Sequence, residues 1–187
     1  MENDTTLVAE EDFLVRLQDP ATREKAFEEL VGTYQERLYW HIRRIALDHD
    51  DTDDVLQNTF IKVFRNIGGF KGDSKLYSWM YRIATNESLS FLKQKSRKLG
   101  VGSLELQEKL VDQLESDVYF EGDEIQLKLQ RALAQLPEKQ KLVFNMKYYQ
   151  NMKYDDISAV LGTSVGALKT SYHHAVKKIE AFLTTEQ

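Results

Sequence analysis

Apolar residues recur every three or four positions along most of this 187-residue chain, with only two prolines and nine glycines to interrupt them. Phe27, Leu30, Val31, Tyr34, Leu38, Ile42 and Ile45 make one such stripe and predict an amphipathic helix over 21–46. Leu56, Phe60, Val63, Phe64 and Ile67 mark a second, starting at Asp53 and broken by Gly68-Gly69. Leu76, Met80, Ile83, Ala84 and Phe91 mark a third, with Ser74 as N-cap and an end near Lys98. Tyr77, Tyr81 and Arg82 fall off that stripe and are expected to face outward. A short helix over 8–18 precedes them, and Asp19-Pro20 restarts the chain. A period of 3.6 cannot bury one face of a strand, so the expected class is all-α. Long helices with short connections must cover one another, so 1–98 reads as one helical domain.

Residues 99–122 are acidic, open with two glycines and have poor periodicity; they read as a flexible linker, with room for a short helical piece. Beyond it, 123–187 predicts four helices. Ile125, Leu129, Leu133 and Leu136 mark the first, ended by Pro137; Leu142, Val143 and Met146 mark the second. Tyr154, Ile157, Val160 and Leu161 mark a short third. After Gly162-Thr163-Ser164, the fourth carries Val165, Leu168, Tyr172, Ala175, Val176, Ile179, Phe182 and Leu183. Short helix, glycine turn and longer helix form a helix-turn-helix pattern. The fold expected is two small helical domains on an acidic linker, the second a helix-turn-helix.

Charge then separates the segments. Residues 61–100 hold nine basic and two acidic side chains, a net +7, while the whole chain carries −5. Inside that basic block, Phe70, Tyr77, Trp79 and Tyr81 interleave with Lys71, Lys75 and Arg82. Rings that stack on unpaired bases beside cations that track phosphates suit a single-stranded nucleic acid. Trp79 shares its spacing with Leu76 and Ile83 and is expected to serve the core. On the last helix, Lys169, Thr170, His173, His174, Lys177 and Lys178 lie opposite the apolar stripe and offer donors to phosphates and base edges.

Several chemistries lack their residues. No cysteine is present, so disulfides and thiolate metal sites are excluded. The acidic run from Asp48 to Asp54 lacks the glycine and glutamate of a calcium loop and instead suits a helix N-terminus. His173 and His174 are adjacent and cannot chelate from one helix face, and Asp155 with Asp156 fails as a catalytic pair for the same reason. No metal or cofactor site and no catalytic residue is expected, and an enzyme is disfavoured. The segment MENDTTLVAEEDF lacks the basic and apolar runs of a signal peptide, and no stretch reaches membrane-helix length, so a cytoplasmic protein without membrane insertion is expected.

Three stretches in order carry a family resemblance: DDVLQNTFIKVF, FKGDSKLYSWMYRIATN, and LPEKQKLVF followed by YDDISAVLGTSVGALKTSYHHAVKKI. With them the chain resembles the bacterial RNA polymerase sigma factors of the extracytoplasmic-function (ECF) group, in the sigma-70 family, over Phe27–Lys98 and Ile125–Leu183. The resemblance implies two helical domains: 1–98 as region 2 and 123–187 as region 4, with 99–122 as linker. It implies a transcription initiation factor that binds core RNA polymerase through the clamp helices of the largest subunit and directs it to promoter DNA. An anti-sigma factor is a further partner that the family admits. By position, polymerase binding falls on Asp51, Asp53, Asp54, Gln57 and Asn58. Capture of the minus-ten element falls on Phe70, Lys71, Asp73, Ser74, Lys75, Tyr77, Ser78, Trp79, Arg82 and Asn86. Reading of the minus-thirty-five element falls on Ser164, Val165, Gly166, Ala167, Lys169, Thr170, His173, His174, Lys177 and Lys178. Where relatives often carry arginine, this chain has Lys169, Ser171, His174 and Val176, which lack the planar bidentate fork. An ordinary helix-turn-helix regulator would explain 154–178 but give no task to Phe70–Asn86.

Overall fold

The computed structural model describes residues 12–114, 116–117 and 122–185, and all regular structure among them is helical. A short helix α1 covers 12–18, and the rest of its expected span, 8–11, lies outside the described residues. It is followed by α2 (Arg23–Ala46), α3 (His49–Asn66) and α4 (Leu76–Leu99). Next come α5 (Ser103–Leu114), α6 (Glu124–Ala134) and α7 (Glu138–Phe144), the last running on into a π-turn at Asn145–Tyr149. The helix-turn-helix pair is α8 (Tyr154–Leu161) and α9 (Val165–Thr185).

Helices α2, α3 and α4 pack mutually around Leu30, Leu38, Ile42, Val55, Val63, Ile67, Leu76, Met80 and Ala84, all fully or almost fully buried. Each large aliphatic side chain removed from water this way contributes ~1.5–3 kcal/mol. α1 is laid across the bundle by Leu17 and by Gln18, whose amide donates to the carbonyls of Ile67 (3.3 Å) and Phe70 (2.8 Å).

α3 begins one turn earlier than the apolar pattern predicts, because Asp48 caps it by accepting from the Asp51 N–H at 2.9 Å. Its buried face is also rotated. Thr52, Val55, Thr59 and Val63 face inward, whereas Leu56 and Phe60 are half-buried and Phe64 lies at the rim. The two threonines serve as small core residues because each hydroxyl donates to a carbonyl four residues back, Asp48 and Val55 respectively. The displaced rings meet Phe27 edge-on, Phe60 at 6.2 Å and Phe64 at 4.9 Å.

In α4 the cap is Lys75, in extended backbone without a side-chain bond, and not Ser74. Tyr81 departs from its expected outward position. It is 4% exposed, packs on His41 with ring centroids 4.7 Å apart, and reaches the Arg37 carbonyl. The physical reason is that α2 lies along that side of α4 and brings His41 and the Arg37 carbonyl onto the ring.

The stretch 103–114, expected to be poorly periodic, forms a helix with a well-defined apolar face. Leu106, Leu110, Val111 and Leu114 pack with Ile45, Leu92, Ala134 and Leu142, so α5 is wedged between the first bundle and the C-terminal helices. Lys141 donates to Gln107 at 2.7 Å and Gln135 to Glu108 at 2.9 Å, fixing its polar edge. In the C-terminal part, Leu133, Leu136, Phe144, Ala175 and Ile179 form a core of their own. Ile125, expected to mark the buried face of α6, is instead 72% exposed at the first turn. Val143, Met146, Ile157, Val160 and Leu168 do not join that local core. They merge with the core of α2–α4, so one apolar interior runs across both halves.

The register of α3 and the adjoining turn gives a direct test. Ile67→Ala, at a fully buried site, should lower unfolding free energy by ~2–5 kcal/mol. Ile61→Ala, on the exposed side of the same helix, should stay within ~0.5 kcal/mol in the same urea titration. Equal losses would contradict the register.

Candidate nucleic-acid interface

The basic, aromatic stretch enters from the loop that follows the Gly68-Gly69 turn. Phe70 is extended and half-buried, Lys71 and Asp73 are exposed, and Gly72 adopts a left-handed φ of 77° that a side chain would strain. Phe70 packs on Trp79 at 5.1 Å, and both rings lie against the core, as the spacing of Trp79 suggests. Ser78 is 1% exposed and faces inward.

The remaining members lie under α8 or beside it. Lys75 donates to Asp156 at 3.1 Å and stands 5.6 Å from the Tyr77 ring. The Tyr77 hydroxyl is hydrogen-bonded to the same carboxylate; burial, and then this bond, push it up to about 12. Arg82 donates through Nε to the Ala159 carbonyl at 2.9 Å, and Nη2 meets the same oxygen. Asn86, one turn further, is exposed at the wall of a cleft of about 890 Å3 between α4, α5, α6 and α7. Thus Lys75, Tyr77 and Arg82 are gathered beneath α8, Asn86 opens into the cleft, and Phe70 with Trp79 turns toward the core.

A second surface is α9. Its start is fixed by the Gly162 turn (φ 63°) and by Ser164, whose hydroxyl accepts from the Ala167 N–H at 3.4 Å. Ser164, Gly166, Ala167, Lys169, Thr170, His173, His174, Lys177 and Lys178 are all exposed, and Val165 is half-buried. Among the described residues no carboxylate pairs with Lys169, Lys177 or Lys178; Lys169 lies only over the Tyr154 ring at 5.8 Å. Leu168, Ala175 and Ile179 hold the opposite face in the core, which aims the cationic face at solvent.

The acidic start of α3 makes a third. Asp53, Asp54, Gln57 and Asn58 are exposed together on one side. Asp51 is turned inward and paired with Lys95; burial raises its carboxyl above the usual range against the pull of that lysine.

Two matches to known families cover most of these elements: residues 30–98 match Sigma-70 region 2, and residues 126–179 match Sigma-70, region 4. The chain belongs to the sigma-70 family, in its extracytoplasmic-function group. It is 29% identical over 175 residues to the RNA polymerase sigma-H factor of Pseudomonas aeruginosa, covering 85% of this chain and 86% of that one. It is 26% identical over 172 residues to the ECF RNA polymerase sigma-E factor of Escherichia coli, covering 84% and 86%. In fold it is similar to CnrH in its complex with the cytosolic domain of CnrY, with a TM-score of 0.70, 21% identity and 96% and 99% of the two chains covered. RpoE of Bartonella quintana, bound to the anti-sigma factor NepR, gives a TM-score of 0.65 at 19% identity over 87% and 99%. This sigma factor is therefore a promoter-directing transcription initiation factor and not an enzyme. Among its described residues no helix is long and apolar enough to cross a membrane.

Sequence reasoning found the basic faces of this sigma factor but missed what they touch. Asp156 stood out only as half of an unsuitable catalytic pair, and its partner Lys75 is 81 positions away. Nothing in the local pattern marks such a contact. His41 was missed likewise: it is 1% exposed, with Nε2 against the Thr85 hydroxyl and Nδ1 accepting from the Gln150 amide, each at 2.8 Å. Burial lowers this imidazole from its ordinary 6.5 to about 3, and nearby Arg44 works in the same direction.

The sign of the resulting pH dependence follows. The folded value of His41 is depressed, so its contribution is complete above about pH 6.5 and is lost as pH falls toward about 3. Stability of the sigma factor should drop by ~1.4 kcal/mol per pH unit on His41's account within that window. Urea titrations at pH 7.5, 6 and 5 check this, with His41→Gln expected to show a shallower slope than the wild type.

Proposed function

We propose that this sigma factor acts in the cytoplasm, with 1–98 serving as region 2, 99–122 as linker and 123–187 as region 4. Region 2 binds core polymerase through Asp53, Asp54, Gln57 and Asn58, with Asp51 steadying the helix start through Lys95. The loop from Phe70 and the face of α4 through Asn86 capture the melted minus-ten strand. Extracting a base costs a few kcal/mol, which stacking and edge hydrogen bonds must return, and the amide of Asn86 can donate and accept at once. Lys71, Lys75 and Arg82 hold flanking phosphates. Asp73 and Ser74 shape the loop, and Trp79 supports it from the core through Phe70.

The observation that carries the reading is the α9 surface: six donors from Lys169 to Lys178, all exposed, on the second helix of a helix-turn-helix. That helix suits the major groove of the minus-thirty-five element, with its N-terminal residues nearest the bases. An anti-sigma factor is a further partner; support comes from the RpoE structure, whose partner NepR is an anti-sigma factor.

The test is promoter-directed transcription. The sigma factor added to purified core polymerase should give initiation at a discrete set of promoters selected from a library, whereas a helix-turn-helix regulator would give none. Asp54→Lys should weaken core binding in a direct titration and leave the thermal midpoint unchanged.

The two halves of the α9 face should differ. Lys169→Ala should relax sequence preference, by ~1–3 kcal/mol at one base pair if the ammonium reaches a base edge. Lys178→Ala should weaken all sequences alike and reduce the salt dependence of binding. Equal, sequence-blind losses in a competition assay would reassign Lys169 to the phosphates.

A further inference from the structure

The cleft between α4, α5, α6 and α7 takes part in the function above only through Asn86 at its wall. Its volume of about 890 Å3 lies within the range of small-molecule sites, and its lining has their composition, an apolar floor with a few fixed polar groups. Leu92, Leu106 and Leu142 belong to one buried cluster and form the floor. Leu104 lines the same cleft yet is 50% exposed, an apolar side chain that the protein itself leaves half uncovered.

The polar groups are unbalanced in charge. Lys141 donates to the Gln107 side-chain oxygen at 2.7 Å. Among the described residues no carboxylate forms an ion pair with it or with Lys93, the other cation of the lining. Burial lowers the Lys141 ammonium to about 8, against the opposing pull of Glu138, which acts through space without closing on it. A sheltered ammonium held only by a neutral amide gains most from an anion, because a charge-assisted bond is about twice as strong as a neutral one. Glu138 also limits that anion's charge: a single negative charge is matched by Lys141, whereas a dianion would meet a carboxylate of like sign. Among the described residues no aromatic ring lines the cleft, so a nucleotide base would find nothing to stack on.

We propose that this cleft binds a medium-chain aliphatic monocarboxylate, its head on Lys141 and its chain along Leu92, Leu106 and Leu142 toward Leu104. The ligand covers the apolar surface that Leu104 leaves in water and gives Lys141 the anion it lacks. Neither residue belongs to the surfaces assigned to promoter DNA or to core polymerase, so the site stands apart from those assignments.

The test is a calorimetric titration of octanoate into the full-length sigma factor. One molecule should bind per chain. Along hexanoate, octanoate and decanoate, each added methylene should tighten binding about two- to fourfold as it enters the apolar floor. Octanol and octyltrimethylammonium share the chain but lack the anion, and should bind at least about tenfold more weakly. Lys141→Met keeps an unbranched side chain without the charge and should bring octanoate down to the level of octanol. Leu104→Asp, at a half-exposed position, places a carboxylate beside the ligand and should weaken octanoate about tenfold while the thermal midpoint of the free protein stays unchanged. That variant carries the test if Lys141→Met fails to fold. Absence of saturable octanoate binding would overturn the proposal. So would equal affinity for acid, alcohol and ammonium, or an octanoate affinity that a folded variant leaves unchanged, since either result places the ligand elsewhere. Tighter binding of octyl phosphate than of octanoate would overturn the choice of a monocarboxylate.

Discussion

Helix α4 is asked to satisfy two environments at once. One side buries Leu76, Met80 and Ala84 against α2 and α3, and the next carries the cations and ring of Lys75, Tyr77 and Arg82. Left bare, that second side would hold Tyr77 in water beside an unneutralised basic block. The chain resolves the conflict by turning α8 onto it, with apolar residues toward the core and acceptor oxygens toward Lys75 and Arg82. Through Ile157 and Val160 that closure also makes the core continuous across both halves.

Much of this was readable from periodicity. The long helices, the glycine turn before α9 and the exposed basic face of α9 rest on local patterns of period 3.6, and local patterns are what a sequence displays. The errors have specific causes. Thr52 and Thr59 look polar, but a threonine that returns its hydroxyl to its own helix is a small apolar residue in effect, so the buried face of α3 is centred one position away from its large side chains. Tyr81 looks like an outward ring because what covers it, His41 and the Arg37 backbone, belongs to another helix. Residues 103–114 look aperiodic because their acidic side chains are conspicuous, while the four that pack, Leu106, Leu110, Val111 and Leu114, sit at a narrow seam between two other elements.

The interface residues divide along the same line. Asp54 and Lys178 are exposed as their place on the helix requires. Asp51 and Lys75 are held by partners that no local pattern announces, and Ser78 is turned into the interior. Charge patterning locates a surface well, but whether that surface is open is a tertiary property.

The connection between α8 and α9 is only Gly162-Thr163-Ser164, with Gly162 left-handed and bonded back to the Ser158 carbonyl at 2.9 Å. So short a joint has no slack. The joint therefore couples the two helices closely. α9 is 21 residues long and α8 only 8, so a force on the far end of α9 works on α8 through the longer arm. Such a force is delivered to the seam with α4, and the stiffness of one glycine turn sets how faithfully it arrives.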